Sequence, residues 1–167
     1  LGTGLIDPWA NGVTSTIFVG EKTPEVWPAV IRKAGATLFA AVPGLFRQIL
    51  KYAPPGPLDV SPLRHGLIAG EAPAPSLFAD WHARTGTELY EALGMSEIST
   101  YVSTCPGMAR KDGSPGRAQP GRRVAVLPVE SGTDPLPTGE EGLLAVHRSD
   151  PGLMLGYWNR KDEEAEV

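Results

Sequence analysis

The chain has 167 residues, of which 41% are hydrophobic, so it can bury a core and is not expected to be disordered as a whole. Its formal net charge is -4 and no window concentrates Lys and Arg, which argues against a nucleic acid or an anionic membrane surface as partner. No apolar run is long enough to span a bilayer. The single cysteine, Cys105, excludes an intrachain disulfide and predicts a reducing, cytoplasmic location.

The first part of the chain alternates between predicted strands and helices. Strands are predicted from β-branched or continuous apolar runs, and helices from caps, early prolines and apolar residues at helical spacing. The predicted strands cover residues 14–19, 37–42, 67–69 and 87–93, and the predicted helices cover 23–34, the segment opening at Pro43, and 76–84. Alternation of this kind predicts a largely parallel sheet with right-handed crossovers.

After Gly113 the pattern changes to short strands without intervening helices. Residues 122–129 and 143–148 are predicted strands separated by Gly/Pro turns, and residues 161–166 are predicted to start a solvated helix. The predicted fold is therefore α/β, with a mostly parallel sheet flanked by helices and then a small antiparallel β lobe or partial barrel. We expect the boundary near residues 112–116, which divides the chain into 1–113 and 114–167.

Two loops follow predicted parallel strands and are candidates for a ligand site. One is Gly70-Glu71-Ala72-Pro73 and the other is Gly94-Met95-Ser96-Glu97. Ligands of open α/β sheets bind outside the carboxyl ends of the strands, where the sheet fixes the positions of the loops. The small residues of the first loop leave backbone exposed, which lets a flat ligand lie against it.

The second loop carries a hydroxyl and a carboxylate side by side. The Ser96 hydroxyl and nearby backbone N–H groups can donate to phosphate oxygens, and the Glu97 carboxylate can hold a Mg²⁺ ion that keeps its other positions for water and phosphate. Taken alone, the same two residues also fit a plain turn in which they only cap the backbone. Neighbouring motifs are needed to choose between these interpretations.

The stretch Glu91-Ala92-Leu93-Gly94-Met95-Ser96-Glu97 resembles the aromatic-Gly-x-Thr-Glu signature of the adenylate-forming superfamily of acyl-CoA synthetases, luciferases and peptide-synthetase adenylation domains. Leu93 stands where that signature has a tyrosine against adenine, and Ser96 replaces a threonine while keeping the hydroxyl. Leucine can pack on adenine without aromatic stacking.

Further motifs of the same superfamily follow in the same order along the chain. Ala69-Gly70-Glu71-Ala72-Pro73 is similar to the Ser-Gly-Gly-Ala-Pro loop, in the Gly-Glu-Ala form that resembles benzoate-type CoA ligases. Residues 139–144 through 155–159 are similar to the segment from Gly-Glu-x-Gly-Glu-Leu to Gly-Tyr-Trp-Asn, and residues 39–43 and 114–121 resemble the motifs that precede it. Several motifs in fixed order make chance similarity improbable.

The resemblance implies an enzyme that uses ATP and Mg²⁺ to convert a carboxylic acid into acyl-AMP, and CoA to form the acyl-CoA. Glu97 would be the metal ligand and Ser96 would contact phosphate, and these two are the implied catalytic residues. Residues 2–5 would border the acyl pocket. The implied nucleotide-binding residues are Gly70, Glu71, Ala72, Glu91, Ala92, Leu93, Gly94, Met95 and Ser96.

The resemblance also implies parts that this sequence does not contain. They are the phosphate loop ending in Pro-Lys, the Thr-Gly-Asp motif, the hinge and the small C-terminal domain with its lysine, so we expect an excerpt that is inactive alone. Three other interpretations stay open: a non-catalytic nucleotide- or acyl-binding fragment, an adenylation domain that passes the acyl group to a carrier protein, and a luciferase-like oxygenase. The substrate acid is not identified, although an aromatic acid is a candidate.

Overall fold

The structure, a computed structural model, describes residues 2–164. Residue 1 and residues 165–167, including the end of the predicted helix start at 161–166, lie outside the described part. The helical elements are a π-helical turn (Gly2–Ile6), α1 (Asp7–Ala10), a 3-10 turn (Pro24–Val26), α2 (Trp27–Ala34), α3 (Pro43–Tyr52), α4 (Ser76–Thr85) and α5 (Lys161–Glu164). The strands are β1 (Leu38–Ala41), β2 (His65–Ala69), β3 (Glu88–Met95), β4 (Ser99–Ser103), β5 (Arg117–Ala118), β6 (Val124–Leu127) and β7 (Leu143–Val146).

The main sheet has five strands in the order β1-β2-β3-β4-β5. Strands β1, β2 and β3 are parallel, and helices α3 and α4 make the crossovers between them, which confirms the predicted α/β units. Helices cover one side of these strands, where Phe46 and Trp81 pack with Ile68 and Leu89, whereas Leu38 and Ala40 of β1 are exposed. The predicted fold class is thereby confirmed for this part of the chain.

Two antiparallel strands complete the sheet. Strand β4 returns from β3 through a tight turn, and β5 pairs with β4 at the edge. Neither strand is predicted from the sequence pattern, because residues 99–103 mix hydroxyl and apolar side chains and β5 has only two residues. Strand β5 lies beyond residue 113 and yet pairs with the main sheet. The division into 1–113 and 114–167 stays a prediction.

The predicted antiparallel strands after Gly113 pair as β6 and β7. Within residues 2–164 they form a separate two-stranded sheet rather than a closed barrel. Its partly buried side chains Val124 and Val146 pack beside Ile98, Tyr101 and Val102 near the main sheet. The small sheet is therefore close to the turn that joins β3 and β4.

The predicted strand at residues 14–19 is wrong. These residues are irregular in the structure, and Ile17 and Val19 are 73% and 90% exposed. β-Branched residues favour a strand only when a neighbouring strand supplies hydrogen bonds and packing, and no described strand pairs with this segment. The local composition was therefore insufficient to make a strand here.

The main core lies between the helices and the sheet. Phe46 of α3 and Trp81 of α4 are fully buried and meet edge to face, with ring centroids 4.9 Å apart. Ile68 and Leu89 extend this core from the sheet. The Trp81 indole N–H donates to Thr87 Oγ1 at 2.9 Å, so its polar group is also satisfied inside the core.

Both ends of α2 lie close to the ends of the helix predicted at residues 23–34. Pro24 and Glu25 begin a 3-10 turn that continues into α2 at Trp27, so the predicted start is shared between two helical elements. Gly35 ends α2 in the left-handed conformation, with φ of 61°.

Within residues 2–164, no helix combines the length and apolarity needed to cross a membrane.

Candidate functional site

The two predicted ligand loops leave the sheet at the same edge. Strands β2 and β3 are parallel, and Ala69 at the end of β2 is the register partner of Ala92. The exposed loop Gly70–Ala72 therefore begins beside Leu93 and Gly94, as expected for loops at the carboxyl ends of neighbouring strands. The parallel pairing thus brings the two motifs together.

The second motif is a hairpin turn rather than a free loop after a strand. Strand β3 continues through Gly94 to Met95, and residues 96–98 turn the chain back into β4. The register shifts between Leu93 and Gly94, which marks a bulge. A Cβ at Gly94 would lie only 2.5 Å from the Ser99 carbonyl oxygen, so this close approach requires glycine.

Glu91 and Ala72, two predicted nucleotide-binding residues, line the same small cleft of about 50 Å³. Phe78 of α4, Thr104 and Arg110 also line it. Burial raises the pKa of the Glu91 carboxyl above its usual value, and the positive charge of Arg110 acts in the opposite direction. The backbone N–H of Glu91 donates to Thr104 Oγ1 at 2.7 Å.

Ala92, the next residue of the motif, lines a different cavity. This cavity measures about 350 Å³ and its other walls include Asp7, Thr100, Gln119 and Arg122. Successive side chains of a strand point to opposite faces, which explains why Glu91 and Ala92 are separated. The predicted nucleotide-binding residues therefore do not share one pocket.

The remaining residues of the turn differ in exposure. Leu93 is half-buried and packs against the cluster of Ile98, Tyr101 and Val102, whereas Met95 is 51% exposed. Ser96 is exposed and its hydroxyl is accessible to a ligand. Gly70 is also exposed, with φ of 95°, a conformation that favours glycine.

Within residues 2–164, Glu97 is the one member of the turn that accepts a hydrogen bond from a distant side chain. The Tyr157 hydroxyl donates a hydrogen bond to Glu97 Oε1 at 2.6 Å, across 60 positions of sequence. This bond, together with the backbone N–H of Glu97, lowers the pKa of the carboxyl below its usual value, and the same bond raises the pKa of Tyr157. Glu97 is therefore a charged carboxylate at neutral pH.

The Glu97 carboxylate suits Mg²⁺ that is carried by a nucleotide. Such an ion takes one or two carboxylates from the protein and fills its remaining positions with water and phosphate oxygens. Within residues 2–164, no group of three or more His, Cys, Asp and Glu side chains is placed to form a metal cage. A single half-exposed carboxylate beside an exposed hydroxyl fits a nucleotide-borne ion better than a resident structural one.

The segment Asp150–Tyr157, here called the strap, fastens to the turn at several points. The Met154 N–H donates to the Glu97 carbonyl oxygen at 2.7 Å. Asp150 forms an ion pair with Arg122, and Arg122 also donates to the Thr100 carbonyl oxygen of β4 at 3.0 Å. The strap therefore supports both the backbone and the side chain of Glu97.

Sequence reasoning missed Tyr157 as a site residue. It identified Gly156-Tyr157-Trp158 only as a motif that accompanies the turn motif, and it assigned that motif no contact. The available signal was the presence of both motifs in the order that the superfamily has, with Tyr157 lying 60 positions after Glu97. Arg122 and Asp150 carried no comparable signal, because a charged pair becomes visible only when the chain is folded.

Residues 2–158 match the family described as AMP-binding enzyme. This match covers most of the chain. The chain belongs to the AMP-binding enzyme family. Its motif order at Gly70–Pro73, Gly94–Glu97 and Gly156–Trp158 agrees with that of the adenylate-forming superfamily, and the predicted resemblance is confirmed.

Curated and solved relatives of this AMP-binding enzyme chain are acyl-CoA synthetases and ligases. It is 38% identical over 164 residues to the mitochondrial acyl-coenzyme A synthetase ACSM5 of Homo sapiens, covering 93% of this chain and 26% of that protein. It is similar to a solved benzoate CoA ligase from Burkholderia xenovorans LB400, with TM-score 0.84, 28% identity, and coverage of 99% of this chain and 33% of the other.

A third relative was solved with a nucleotide. It is ATP-bound MatB from Rhodopseudomonas palustris, with TM-score 0.78, 25% identity, and coverage of 91% of this chain and 29% of that chain. The chain thus spans about a quarter to a third of the length of these relatives.

Proposed function

We propose that this chain forms part of an AMP-forming carboxylate–CoA ligase. In the first step, a carboxylate oxygen attacks the α-phosphorus of ATP, the bond to pyrophosphate breaks, and acyl-AMP forms. In the second step, the thiolate of CoA attacks the acyl carbon and AMP leaves. The protein contributes mainly by positioning the reactants and stabilising the charge that develops on the phosphates.

The observation that carries this proposal is the Glu97 carboxylate. It is charged, half-exposed, held by Tyr157 at 2.6 Å, and placed on a turn beside the loop Gly70–Ala72. When bound there, Mg²⁺ would neutralise charge on the phosphate oxygens of ATP. Membership of the AMP-binding enzyme family and the ATP-bound relative support the same assignment.

The other residues receive roles that match their exposure. The exposed Ser96 hydroxyl donates to a phosphate oxygen, and the exposed loop Gly70–Ala72 walls one side of the adenine. Glu91 borders the adenine on the other side, from the cleft that it shares with Ala72, whereas Ala92 faces the second cavity. Leu93 contributes little stacking, because it lacks an aromatic ring and packs toward Ile98.

The acid and the location belong to the same proposal. The benzoate CoA ligase and the acyl-coenzyme A synthetase among its relatives support a carboxylic acid substrate, with an aromatic acid among the candidates, and CoA as the acceptor. Assignment to the cytoplasm stays a prediction from the single cysteine, Cys105.

A test uses a full-length ligase that carries this sequence. Carboxylate-dependent release of pyrophosphate from Mg-ATP should be measured with an aromatic, a short-chain and a long-chain acid, with and without CoA. Glu97→Ala should lower this release by roughly a hundredfold or more, because it removes the charged group that holds the metal at the phosphates. Acyl-CoA should appear as product only when CoA is present.

Glu140→Ala is the matched control, because it removes an exposed turn carboxylate outside the site. It should leave pyrophosphate release within about twofold. Undiminished release by Glu97→Ala would contradict the metal assignment, and binding of ATP without any carboxylate-dependent release would favour a non-catalytic binding protein. Transfer of the acyl group to a carrier-protein thiol but not to CoA would favour the carrier-protein alternative.

A further inference from the structure

We propose that Tyr157 is a positioning residue that presents the Glu97 carboxylate to the nucleotide-borne metal, an inference that rests on the function proposed above. Tyr157 is half-buried, and its neighbour Trp158 is 89% exposed. The two adjacent aromatic residues therefore have different environments, and only the tyrosine points its polar group at the turn.

The hydrogen bond has the geometry of a strong, charge-assisted interaction. The Tyr157 oxygen lies 2.6 Å from Glu97 Oε1, within the range of a hydroxyl that donates to a carboxylate. A glutamate at a hairpin turn has several free torsions, and binding a metal would immobilise them at an entropic cost. The phenol removes this freedom before the ligand arrives, which is the usual benefit of preorganisation.

The strap gives Tyr157 a fixed platform. The backbone of the strap is tied to Glu97, the residue that the Tyr157 side chain orients, because the Met154 N–H donates to the Glu97 carbonyl oxygen at 2.7 Å. At the other end of the strap, Asp150 is fully buried, pairs with Arg122 and accepts a hydrogen bond from the Gly152 N–H at 2.8 Å. The phenol therefore approaches Glu97 from a segment that is anchored at Asp150 and again at Met154.

Removal of such a partner of a metal-binding carboxylate weakens metal binding by about tenfold or more. In a full-length ligase carrying this sequence, Tyr157→Phe should raise the dissociation constant for Mn²⁺ by about tenfold. The measurement is Mn²⁺ electron paramagnetic resonance with an ATP analogue whose α,β bridge cannot be cleaved, so no turnover is needed. In the pyrophosphate assay, the half-saturating Mg²⁺ concentration should rise similarly, while saturating Mg²⁺ restores the rate and the KM for the acid is unchanged.

Two comparison variants separate positioning from general damage. Tyr52→Phe removes an exposed phenol of α3 and should leave the Mn²⁺ affinity unchanged. In a Glu97→Gln background, Tyr157→Phe should cause no further loss of Mn²⁺ affinity, because the group that it positions is already gone.

Each contrary result overturns a defined statement. Mn²⁺ affinity of Tyr157→Phe within twofold of the parent, while Glu97→Gln weakens binding, overturns the positioning role and leaves the proposed function standing. If Tyr157→Phe weakens Mn²⁺ binding equally in the parent and in the Glu97→Gln background, the loss comes from fold stability, and this result also overturns the inference. Unchanged Mn²⁺ affinity in Glu97→Gln overturns both the inference and the metal role of Glu97.

Discussion

At the scale of single residues, hydrogen bonds and burial shift the pKa values of several carboxyl groups in this chain. The backbone and hydroxyl of Ser61 both donate to Asp59, and Arg32 pairs with the same carboxylate at 3.0 Å. These donors, with the Ser61 hydroxyl first, lower the pKa of Asp59 to about 2. Glu97 follows the same rule with a phenol as donor, and Glu91 shows the opposite shift because burial dominates.

Asp59→Asn is predicted to lower the thermal midpoint of unfolding at neutral pH. A carboxyl whose pKa is lower in the folded state stabilises above its unfolded pKa of about 3.9, and loses that effect as the pH falls through the folded pKa. The difference between Asp59→Asn and the parent should therefore shrink as the pH falls from about 4 to about 2. Circular dichroism melts over this range measure it.

Asp134→Asn, an exposed acid in a turn, provides the comparison for Asp59→Asn. It should show no such loss of midpoint at neutral pH. A midpoint of Asp59→Asn that equals the parent's at pH 7, or a gap that persists unchanged at pH 2, would refute the predicted contribution of the carboxylate.

At the scale of elements, the hairpin of β3 and β4 determines where the site residues lie. Strand β3 continues to Met95, so Ser96 and Glu97 lie on a tight turn instead of a long loop. The bulge after Leu93 brings Gly94 close to the backbone of Ser99. The position of the Glu97 carboxylate therefore depends on a glycine that permits this approach.

Gly94→Ala is predicted to destabilise the chain by about 1–3 kcal/mol, the usual cost of overpacking. The added methyl group would lie 2.5 Å from the Ser99 carbonyl oxygen and 2.8 Å from Thr100 Cα, so the hairpin backbone must move. Urea unfolding measures the change in the free energy of unfolding. Gly44→Ala in α3 is the matched control, because its nearest neighbour, Arg47 Nη2, is 3.8 Å away. Equal stability of the two variants would be inconsistent with this packing.

At the scale of the whole molecule, a few long-range contacts join the turn, the small sheet and the strap. Arg122 precedes β6 and contacts both Thr100 on β4 and Asp150 on the strap. The side chain of Asp150 is fully buried, and its Oδ2 has no hydrogen-bond partner among the described residues. A buried pair of this kind is costly to break, because the remaining charge is left without compensation.

Arg122→Met is predicted to lower the free energy of unfolding by about 3–5 kcal/mol, because it leaves Asp150 buried and unpaired. The double variant Arg122→Met/Asp150→Leu removes both charges and should recover much of this loss. Urea unfolding of the parent, both single variants and the double variant forms the required cycle. A double variant as unstable as the sum of the two single variants would mean that the pair is not coupled.

Local patterns in the sequence were sufficient to determine the strand–helix order from β1 to β3, the start of α3 at Pro43 and the end of α2 at Gly35. They were sufficient because burial periodicity, a fixed proline φ and a left-handed glycine act within a few residues. The motifs that identified the family are also local, because each is a short run of residues that can be recognised without knowing its contacts. Residues 14–19, by contrast, had strand-forming side chains and made no strand.

Tertiary structure alone decided the contacts between distant segments. The hydrogen bond from Tyr157 to Glu97 joins positions 60 residues apart, and the Arg122–Asp150 pair and the β4–β5 pairing also join separate segments. No local pattern encodes such a contact, since its energy exists only when both partners are brought together by the packing of other elements. The sequence thus determined which chemical groups are present, and folding determined which one holds Glu97.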